Sequence, residues 1–371
     1  MAEADGRHVA RPVSPGRGRS RPASPAGAHA AGARWRRPLI IFLYFSLAAI
    51  SSWFNDFGAW DMGAVRQALA NRDEAGELAG ARSPDEVLVS TLTTRELEHM
   101  QAIQGVVRAP VRYRPLSFWM TEVLRRGTGL PYLITDFYLR MLFLFFCALA
   151  FHSYLRRWLD LPTTVLGVVL LFALMPAVYW QGYHKLYDFV NLLIFILGYA
   201  LIRARRDWWL VLLLAVGMCN RETTVMLVVV YFFVRWGELP AGTLLLRSGL
   251  LGLLCMAIYV GLRLVYSYAS WFHWYELREN PLDPLTYVHL LLFFNAFWVL
   301  AFLDWKSKPR FLRRAMWMAP LFFVIHFAVG YVLEVRLFLP LLPLFIPLGL
   351  LSLRGWGEGQ GARASSVGTA L

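Results

Sequence analysis

Two acidic side chains follow directly after the first apolar run of the sequence. Asp56 and Asp61 stand in the segment WFNDFGAWD, within a few residues of the run at 38–54. A carboxylate at the edge of an apolar layer is partly desolvated, which raises its affinity for a proton. A general base that deprotonates a hydroxyl group needs this property. We therefore predict Asp56 and Asp61 as catalytic residues; the simpler interpretations are a solvated loop carboxylate and, for Asp61, a helix cap.

A larger set of polar side chains suits the binding of a phosphate group. Arginine in particular matches phosphate oxygens with a planar pair of donors. Ionisable residues beside apolar segments are costly, so their accumulation on one side of a membrane indicates a functional site. The predicted substrate- and phosphate-binding residues are Arg114, Arg140, His184, Lys185, Asp188, Arg221, Glu222, Arg278, Glu334 and Arg336.

Structural interpretations stay open for several of these residues. Arg140 lies four residues after Asp136, so the two side chains can pair along one helix face. Arg221 and Glu222 can form an internal ion pair that lets a turn sit below the membrane surface. Asp188 can start the helix that begins near residue 187.

The composition places the chain in a membrane. Of 371 residues, 58% are hydrophobic and 15% are aromatic, which excludes an ordinary soluble domain. The net charge of +13 comes from arginine and lysine clusters between apolar runs, which indicates membrane orientation and contact with anionic lipids rather than nucleic acid. The three cysteines lie within or beside apolar runs and form neither a disulfide framework nor a metal motif.

The apolar runs predict an all-α polytopic membrane protein of about ten spans with one large external loop. They lie at 38–54, 137–155, 161–180, 187–202, 208–219, 225–236, 244–268, 286–304, 315–333 and 337–353. The runs at 208–219 and 225–236 are too short to cross separately, so the turn between them is expected below the membrane surface, in protein or a wet cavity.

Charge in the short connections predicts the orientation. Basic residues accumulate at 156–157, 203–206, 235–247 and 306–314, and the positive-inside rule places these connections and both termini in the cytoplasm. The predicted location is a bacterial inner membrane.

Three domains follow from this pattern. Residues 1–37 are predicted to be a disordered basic cytoplasmic tail, and 354–371 a flexible cytoplasmic tail. Between them lies a membrane domain at 38–353, with an external loop at 55–131 that contains amphipathic helices near Asp61 and Thr94.

The order of these features resembles the glycosyltransferase C superfamily, in the branch of aminoarabinose and protein mannosyl transferases that use lipid-linked sugars. The resemblance covers roughly 38–240 and rests on an acidic residue after the first span followed by several short motifs. These are Tyr113-Arg114-Pro115-Leu116, Tyr138-Leu139-Arg140-Met141, Asp188 and Asn220-Arg221-Glu222. The first motif keeps one proline and the leucine of the family pattern.

The resemblance implies inverting transfer of a hexose or pentose from a polyprenyl-phosphate carrier to a lipid or glycan acceptor on the outer face. The acidic residue would deprotonate the acceptor hydroxyl, and basic residues would stabilise the leaving lipid phosphate. A divalent metal ion stays open, because some members use one; Asp56, Glu222 and His273 are scattered candidate ligands.

Three other functions compete with glycosyl transfer. A transporter or lipid flippase would need a polar path through the membrane, and the ionisable residues near mid-membrane are few: Arg263, His289 and His326. A membrane acyltransferase would use the short pattern His184-x-x-x-Asp188. A non-catalytic membrane scaffold is the third alternative.

Overall fold

The computed structural model describes residues 26–58, 96–107, 109–179, 186–266 and 275–368. Contacts divide the chain into two compact units, residues 1–41 and residues 42–371. The description below concerns the second unit unless a helix that begins in the first is named. Asp61 and the helix predicted near it lie outside the described residues.

The described residues are helical, with 3-10 turns between helices and no strand. The helices are α1 Ala26–Gly58, α2 96–103, α3 Pro115–Thr128, α4 Tyr132–Leu155, α5 Leu161–Ala173, α6 Met175–Tyr179, α7 Leu186–Arg203, α8 Asp207–Asn220, α9 Met226–Arg235, α10 Ala241–Val265, α11 Tyr275–Leu282, α12 Pro284–Phe294, α13 Phe297–Leu300, α14 Arg310–Ala315, α15 Met318–Val329 and α16 Leu342–Gly368. The 3-10 turns are Val111–Tyr113, Glu222–Val225, Trp305–Ser307 and Val335–Leu341.

Seven stretches of the described chain are long and apolar enough to cross a membrane, and α8 and α12 are shorter apolar helices. The prediction of an all-α membrane protein is confirmed at this level, whereas ten full spans are not found. Two predicted runs have different bounds in the structure. The run at 286–304 breaks at Asn295, whose φ of 49° ends α12, and the run at 315–333 begins earlier, in α14.

Both predicted tails are partly helical. Helix α1 begins at Ala26 and α16 continues to Gly368, so parts of the ranges 1–37 and 354–371 are helical. The physical reason is that each residue added to an existing helix gains a backbone hydrogen bond without a new nucleation cost. Alanine, the best helix former, is frequent in the first turns of α1.

Helices α8 and α9 form a hairpin rather than one long helix. The Tyr231 hydroxyl in α9 donates to the Asp207 carboxylate at the start of α8 over 3.2 Å, and Arg235 lies 3.6 Å from the same carboxylate. The turn between the helices is tight, because a Cβ added at Gly217 would come within 2.5 Å of the Thr224 side chain. The chain therefore reverses at residues 221–225 in the protein interior, as the lengths of the two apolar runs predicted.

Burial distinguishes the central spans from a peripheral one. In α7 72% of the span is buried, and in the stretch Val335–Trp356 that includes the start of α16 94% is buried. Only 11% of α10 is buried. Helix α7 packs against α4 and α8, and α10 packs against α8 and α9. Helix α10 is therefore an outer wall of the bundle with most of its surface free for lipid.

Residues 96–128 include two helices that are joined by a buried carboxylate. Glu122 in α3 accepts hydrogen bonds from Arg125 and Arg126 in the same helix and lies 3.2 Å from His99 in α2. The hydrogen bonds from Arg125, helped by those from Arg126 and His99, hold the pKa of Glu122 well below its usual range despite its burial. The His99 ring in turn lies against Tyr132 at 4.5 Å, which connects α2 to the start of α4. The helix predicted near Thr94 corresponds to α2.

Lys308 connects the final helix to the end of α13. Its ammonium group donates to the carbonyl oxygens of Leu300, Ala301 and Leu348, each over 2.8 Å. Burial lowers the pKa of Lys308 to about 8, so the group still carries its proton at neutral pH. One side chain thus satisfies carbonyl groups at the end of α13 and in α16.

We expect Lys308→Met to destabilise the protein by roughly 2–5 kcal/mol, because three carbonyl groups lose a charged donor. Lys306→Met is the matched control, since Lys306 is exposed two positions earlier and its loss is expected to change the free energy of unfolding by less than about 0.5 kcal/mol. Thermal unfolding of both variants in detergent, followed by tryptophan fluorescence, measures the difference. Equal melting temperatures for the two variants would contradict this role of Lys308.

Candidate functional site

Four chain segments bring ionisable side chains together at one end of the bundle. Each segment is a helix start or a break between helices, where backbone geometry and side-chain direction change. Arg114 precedes α3, Asp188 is in the first turn of α7, Arg221 and Glu222 form the turn between α8 and α9, and Arg336 is in the turn Val335–Leu341 before α16. Pro340 lies inside this last turn, where its missing N–H favours a short 3-10 stretch over continuous α-helix.

The ionisable side chains form a connected set of ion pairs. Arg114 donates two hydrogen bonds to Glu222, over 2.6 and 3.3 Å. Asp188 bridges two arginines: one of its oxygens accepts from Arg221 and the other accepts from Arg336 over 2.7 Å. Arg336 also donates to Glu334 over 2.7 and 3.2 Å. We call Arg114, Arg221 and Arg336 the arginine cluster.

Tyr187 lies among all three members of the arginine cluster. The guanidinium carbons of Arg114, Arg221 and Arg336 lie 5.1, 5.8 and 6.0 Å from the centre of its ring. Cations within about 6 Å of an aromatic face are attracted by its negative quadrupole. The ring therefore reduces the mutual repulsion of three buried cations and keeps them spaced around one point.

The charges of the arginine cluster are matched by those of its carboxylate partners, Asp188, Glu222 and Glu334. Burial by itself lowers the pKa of Arg114, but the nearby Glu222 carboxylate outweighs it and raises that pKa on balance. Burial likewise favours the neutral form of Glu222, and the charge and hydrogen bonds of Arg114 overcome this and lower its pKa to about 2. Both side chains are therefore charged at neutral pH, as a paired buried charge requires.

Arg221 has spare capacity to donate. Its side chain is 3% exposed, and its Nε atom is buried without a hydrogen-bond partner in the described part of the chain. A guanidinium group has five N–H donors, and a buried donor left unpaired costs free energy. Arg221 is also one of the residues that line a cavity.

The cavity has a volume of about 650 Å³. One end is polar and includes the arginine cluster, Tyr187, Glu222 and Glu334. The other end is formed mainly by apolar side chains of the four helices α8, α9, α10 and α15. Examples are Met218, Met226, Cys255, Met256, Phe322 and Ile325. The cavity therefore suits a ligand with a polar group at one end and a hydrocarbon chain at the other.

The segment 110–114 lies across the polar end of the cavity. Pro110, Val111 and Arg114 line it, and the intervening residues hold the segment against the end of α10. Arg112 donates to the Tyr266 carbonyl oxygen over 3.4 Å, and the Tyr113 ring lies 4.4 Å from the Arg263 guanidinium carbon. The predicted external loop thus contributes one side of the site.

The structure brings together six of the predicted binding residues and places two elsewhere. Arg114, Asp188, Arg221 and Glu222 belong to the ion-pair set, as do Glu334 and its partner Arg336. Arg140 is buried in α4, 3.2 Å from Asp136, which agrees with the structural interpretation of that pair. Arg278 is exposed in α11 and does not line the cavity.

Four predicted residues lie wholly or partly outside the described structure. His184, Lys185 and Asp61 are outside the described residues. The backbone of Asp56 belongs to the last turn of α1, but its side chain is not described. The turn before it lies beside α4, because Ser52 donates to the Phe137 carbonyl oxygen over 3.1 Å.

Two residues of the site were not predicted. Tyr187 is not among the residues predicted from the sequence, although it directly precedes the predicted Asp188 and aromatic rings attract cations. His326 was noted only as an ionisable residue near mid-membrane, and the structure places it in the cavity wall. Its isolated position in an apolar run was the available signal.

The sequence analysis left open whether a divalent metal ion binds, and the described side chains do not provide a set of ligands for one. Among the described side chains, no group of three or more His, Cys, Asp or Glu residues is arranged to hold a metal ion. Glu222, one of the candidates, is instead bound by Arg114. The other two candidates, His273 and the side chain of Asp56, lie outside the described structure.

Searches of protein-family models, of curated proteins and of solved structures find no match to this chain. The interpretation of the cavity accordingly rests on its own geometry.

We expect Asp188→Asn to lower the free energy of unfolding by roughly 3–5 kcal/mol, because Arg221 and Arg336 both lose a buried counter-charge. Asp207→Asn is the matched control: this carboxylate also has several partners, but its side chain is 36% exposed and the expected cost is below about 1 kcal/mol. Chemical unfolding in mixed detergent micelles compares the two variants. Similar unfolding midpoints would show that the Asp188 bridge does not stabilise the fold.

Proposed function

We propose that this chain is a membrane glycosyltransferase that moves a sugar from a polyprenyl-phosphate carrier to an acceptor hydroxyl. The observation that carries the proposal is the arginine cluster at the polar end of an otherwise apolar cavity. A phosphate group supplies acceptor oxygens and negative charge, and a polyprenyl chain matches the apolar end.

The walls of the cavity support entry of a lipid from the side. Helices α10 and α15 form facing walls and both pack against α9, which lies between them. Met256 of α10 is 57% exposed and Ile325 of α15 is 37% exposed, although both line the cavity. The apolar lining is thus continuous with the lipid-facing surface, and a hydrocarbon chain can extend from the cavity into the bilayer.

The arginine cluster suits the leaving group of the reaction. In the donor, the phosphate links the sugar to the polyprenyl chain as a diester with one negative charge. When the bond between the anomeric carbon and the phosphate oxygen breaks, the electron pair stays on that oxygen and the charge of the phosphate increases. Preorganised cations stabilise this developing charge more than the charge of the bound donor, which is the requirement for catalysis.

The resting ion pairs are compatible with anion binding. Arginine can donate to a carboxylate and to a phosphate at once, because its five donors point in different directions. Glu222 and Glu334 have partly accessible side chains, 27% and 18%, so a phosphate can compete with them for Arg114 and Arg336. Asp188 is only 2% exposed and stays behind the cluster as a fixed counter-charge.

The sequence analysis predicts that Asp56 removes the proton of the acceptor hydroxyl, with Asp61 as the alternative.

The rival acyltransferase function depends on Asp188 as the partner of His184. Both oxygens of Asp188 accept hydrogen bonds from arginines, which argues against a role in proton transfer.

We expect purified protein to release polyprenyl phosphate from a polyprenyl-phosphate hexose or pentose when a total lipid extract is supplied as acceptor. Asp56→Asn should reduce this release by about 100-fold or more, since it removes the general base without changing side-chain size. Full activity in Asp56→Asn moves the role to Asp61, and activity in the double variant rejects both assignments. Bound but unconverted donor in the wild-type protein would favour a transporter.

We expect Gly252→Phe to abolish binding of polyprenyl phosphate. Gly252 lines the cavity, and a Cβ at this position meets no atom within 4 Å, so the phenyl group can enter the space without displacing the backbone. Gly249→Phe is the matched control, because Gly249 is one turn earlier in α10, equally open and outside the lining. Native mass spectrometry of protein purified with added polyprenyl phosphate reports the bound lipid. Retained lipid in Gly252→Phe would place the binding site elsewhere.

A further inference from the structure

His326 is a buried titratable side chain that the proposed reaction does not yet use. It lies in the last turn of α15, is 4% exposed and lines the cavity. Its ring is stacked on Phe322, with ring centres 4.2 Å apart, and lies 5.4 Å from the ring of Phe338. These contacts fix the plane of the imidazole.

The hydrogen bond of His326 also fixes its tautomer. Nδ1 lies 2.8 Å from the carbonyl oxygen of Phe322. A carbonyl oxygen only accepts, so Nδ1 must carry the hydrogen, and in the neutral ring Nε2 is then an acceptor. Within the described part of the chain Nε2 makes no hydrogen bond of its own.

His326 stands at the boundary between the two ends of the cavity. Its neighbours in α15, Ile325 and Val329, belong to the apolar lining. Arg221, Glu222 and Arg114 line the same cavity. A ligand whose phosphate lies at the arginine cluster can therefore place a further group at Nε2 within this cavity.

We propose that His326 determines headgroup specificity: its Nε2 accepts a hydrogen bond from a hydroxyl group that the ligand carries next to its phosphate. This inference rests on the proposed function, because it concerns the same cavity. The ligand must offer a donor, which excludes a bare phosphate or a carbonyl group at this position. A hydroxyl group suits this position, because it donates to Nε2 without adding a charge beside the paired arginines and carboxylates. The ligand class is thus a lipid phosphodiester of a sugar or another polyol.

The test compares the affinity of two probes, a polyprenyl phosphate and its hexosyl ester, for protein in nanodiscs. His326→Phe removes the acceptor and keeps an aromatic ring, so a ligand hydroxyl would be buried unpaired. We expect the affinity for the hexosyl ester to fall about 5–50-fold, and the affinity for polyprenyl phosphate to change by less than about twofold. His326→Gln, which retains a side-chain acceptor, should lose less affinity for the ester.

His289→Phe is the matched control, because His289 is a partly buried histidine in α12 outside the cavity lining. It should change neither affinity. If His326→Phe leaves both affinities unchanged, or lowers both equally, His326 does not determine headgroup specificity. If the His326→Phe protein binds neither lipid, the same two affinities are measured for the smaller substitution His326→Leu. A selective loss of affinity for the hexosyl ester supports the proposal, and an equal loss rejects it. Wild-type protein that binds neither lipid would reject the proposed function itself, and the role of His326 with it.

Discussion

The site depends on the cost of burying guanidinium groups in a membrane protein. Moving an ion out of water costs several kcal/mol even after relaxation, and this cost is offset only by close counter-charges and hydrogen bonds. Arg114 and Arg336 each have a carboxylate at 2.6 or 2.7 Å, and Asp188 serves Arg221 and Arg336 together. The arginine cluster is therefore inseparable from its carboxylates, and the positions of both determine where an anion can bind.

Interrupted helices make this arrangement possible. A continuous helix satisfies its own backbone groups and presents side chains only sideways, whereas a break directs side chains along the bundle axis and frees backbone groups. Arg221 and Glu222 occupy the break between α8 and α9, and Arg336 occupies the 3-10 turn before α16. The tight approach of Thr224 to Gly217 allows the first of these turns to lie within the protein. Two unusual backbone segments thus supply most of the site.

The cavity combines two environments that a soluble enzyme rarely has side by side. Its polar end is enclosed by ion pairs, and its apolar end continues into the exposed surface of α10, the least buried of the long spans. Electrostatic interactions are strong at the enclosed end, because little water reaches it. A hydrocarbon chain that moves from the bilayer into the apolar end gains no hydrophobic free energy, because both environments are apolar. The apolar end can therefore select such a chain only by the fit of its shape. For the proposed lipid ligand, affinity would then come mainly from the headgroup, which is the part that we propose His326 contacts.

The sequence by itself determined the helices, the membrane setting and most of the charged residues of the site, because apolar run length and the cost of charge in lipid are local properties. It also indicated the reversal at residues 221–225, from two runs too short to cross. Its count of ten spans is not confirmed, since seven stretches of the described chain are long and apolar enough to cross a membrane. Only the tertiary structure decided which charges meet. Asp188 bonds Arg221, 33 positions away, and Arg336, 148 positions away, and no local pattern encodes such a shared partner. Likewise only packing turned Tyr187 and His326 toward one cavity, because the direction of a side chain depends on neighbours that are distant in sequence.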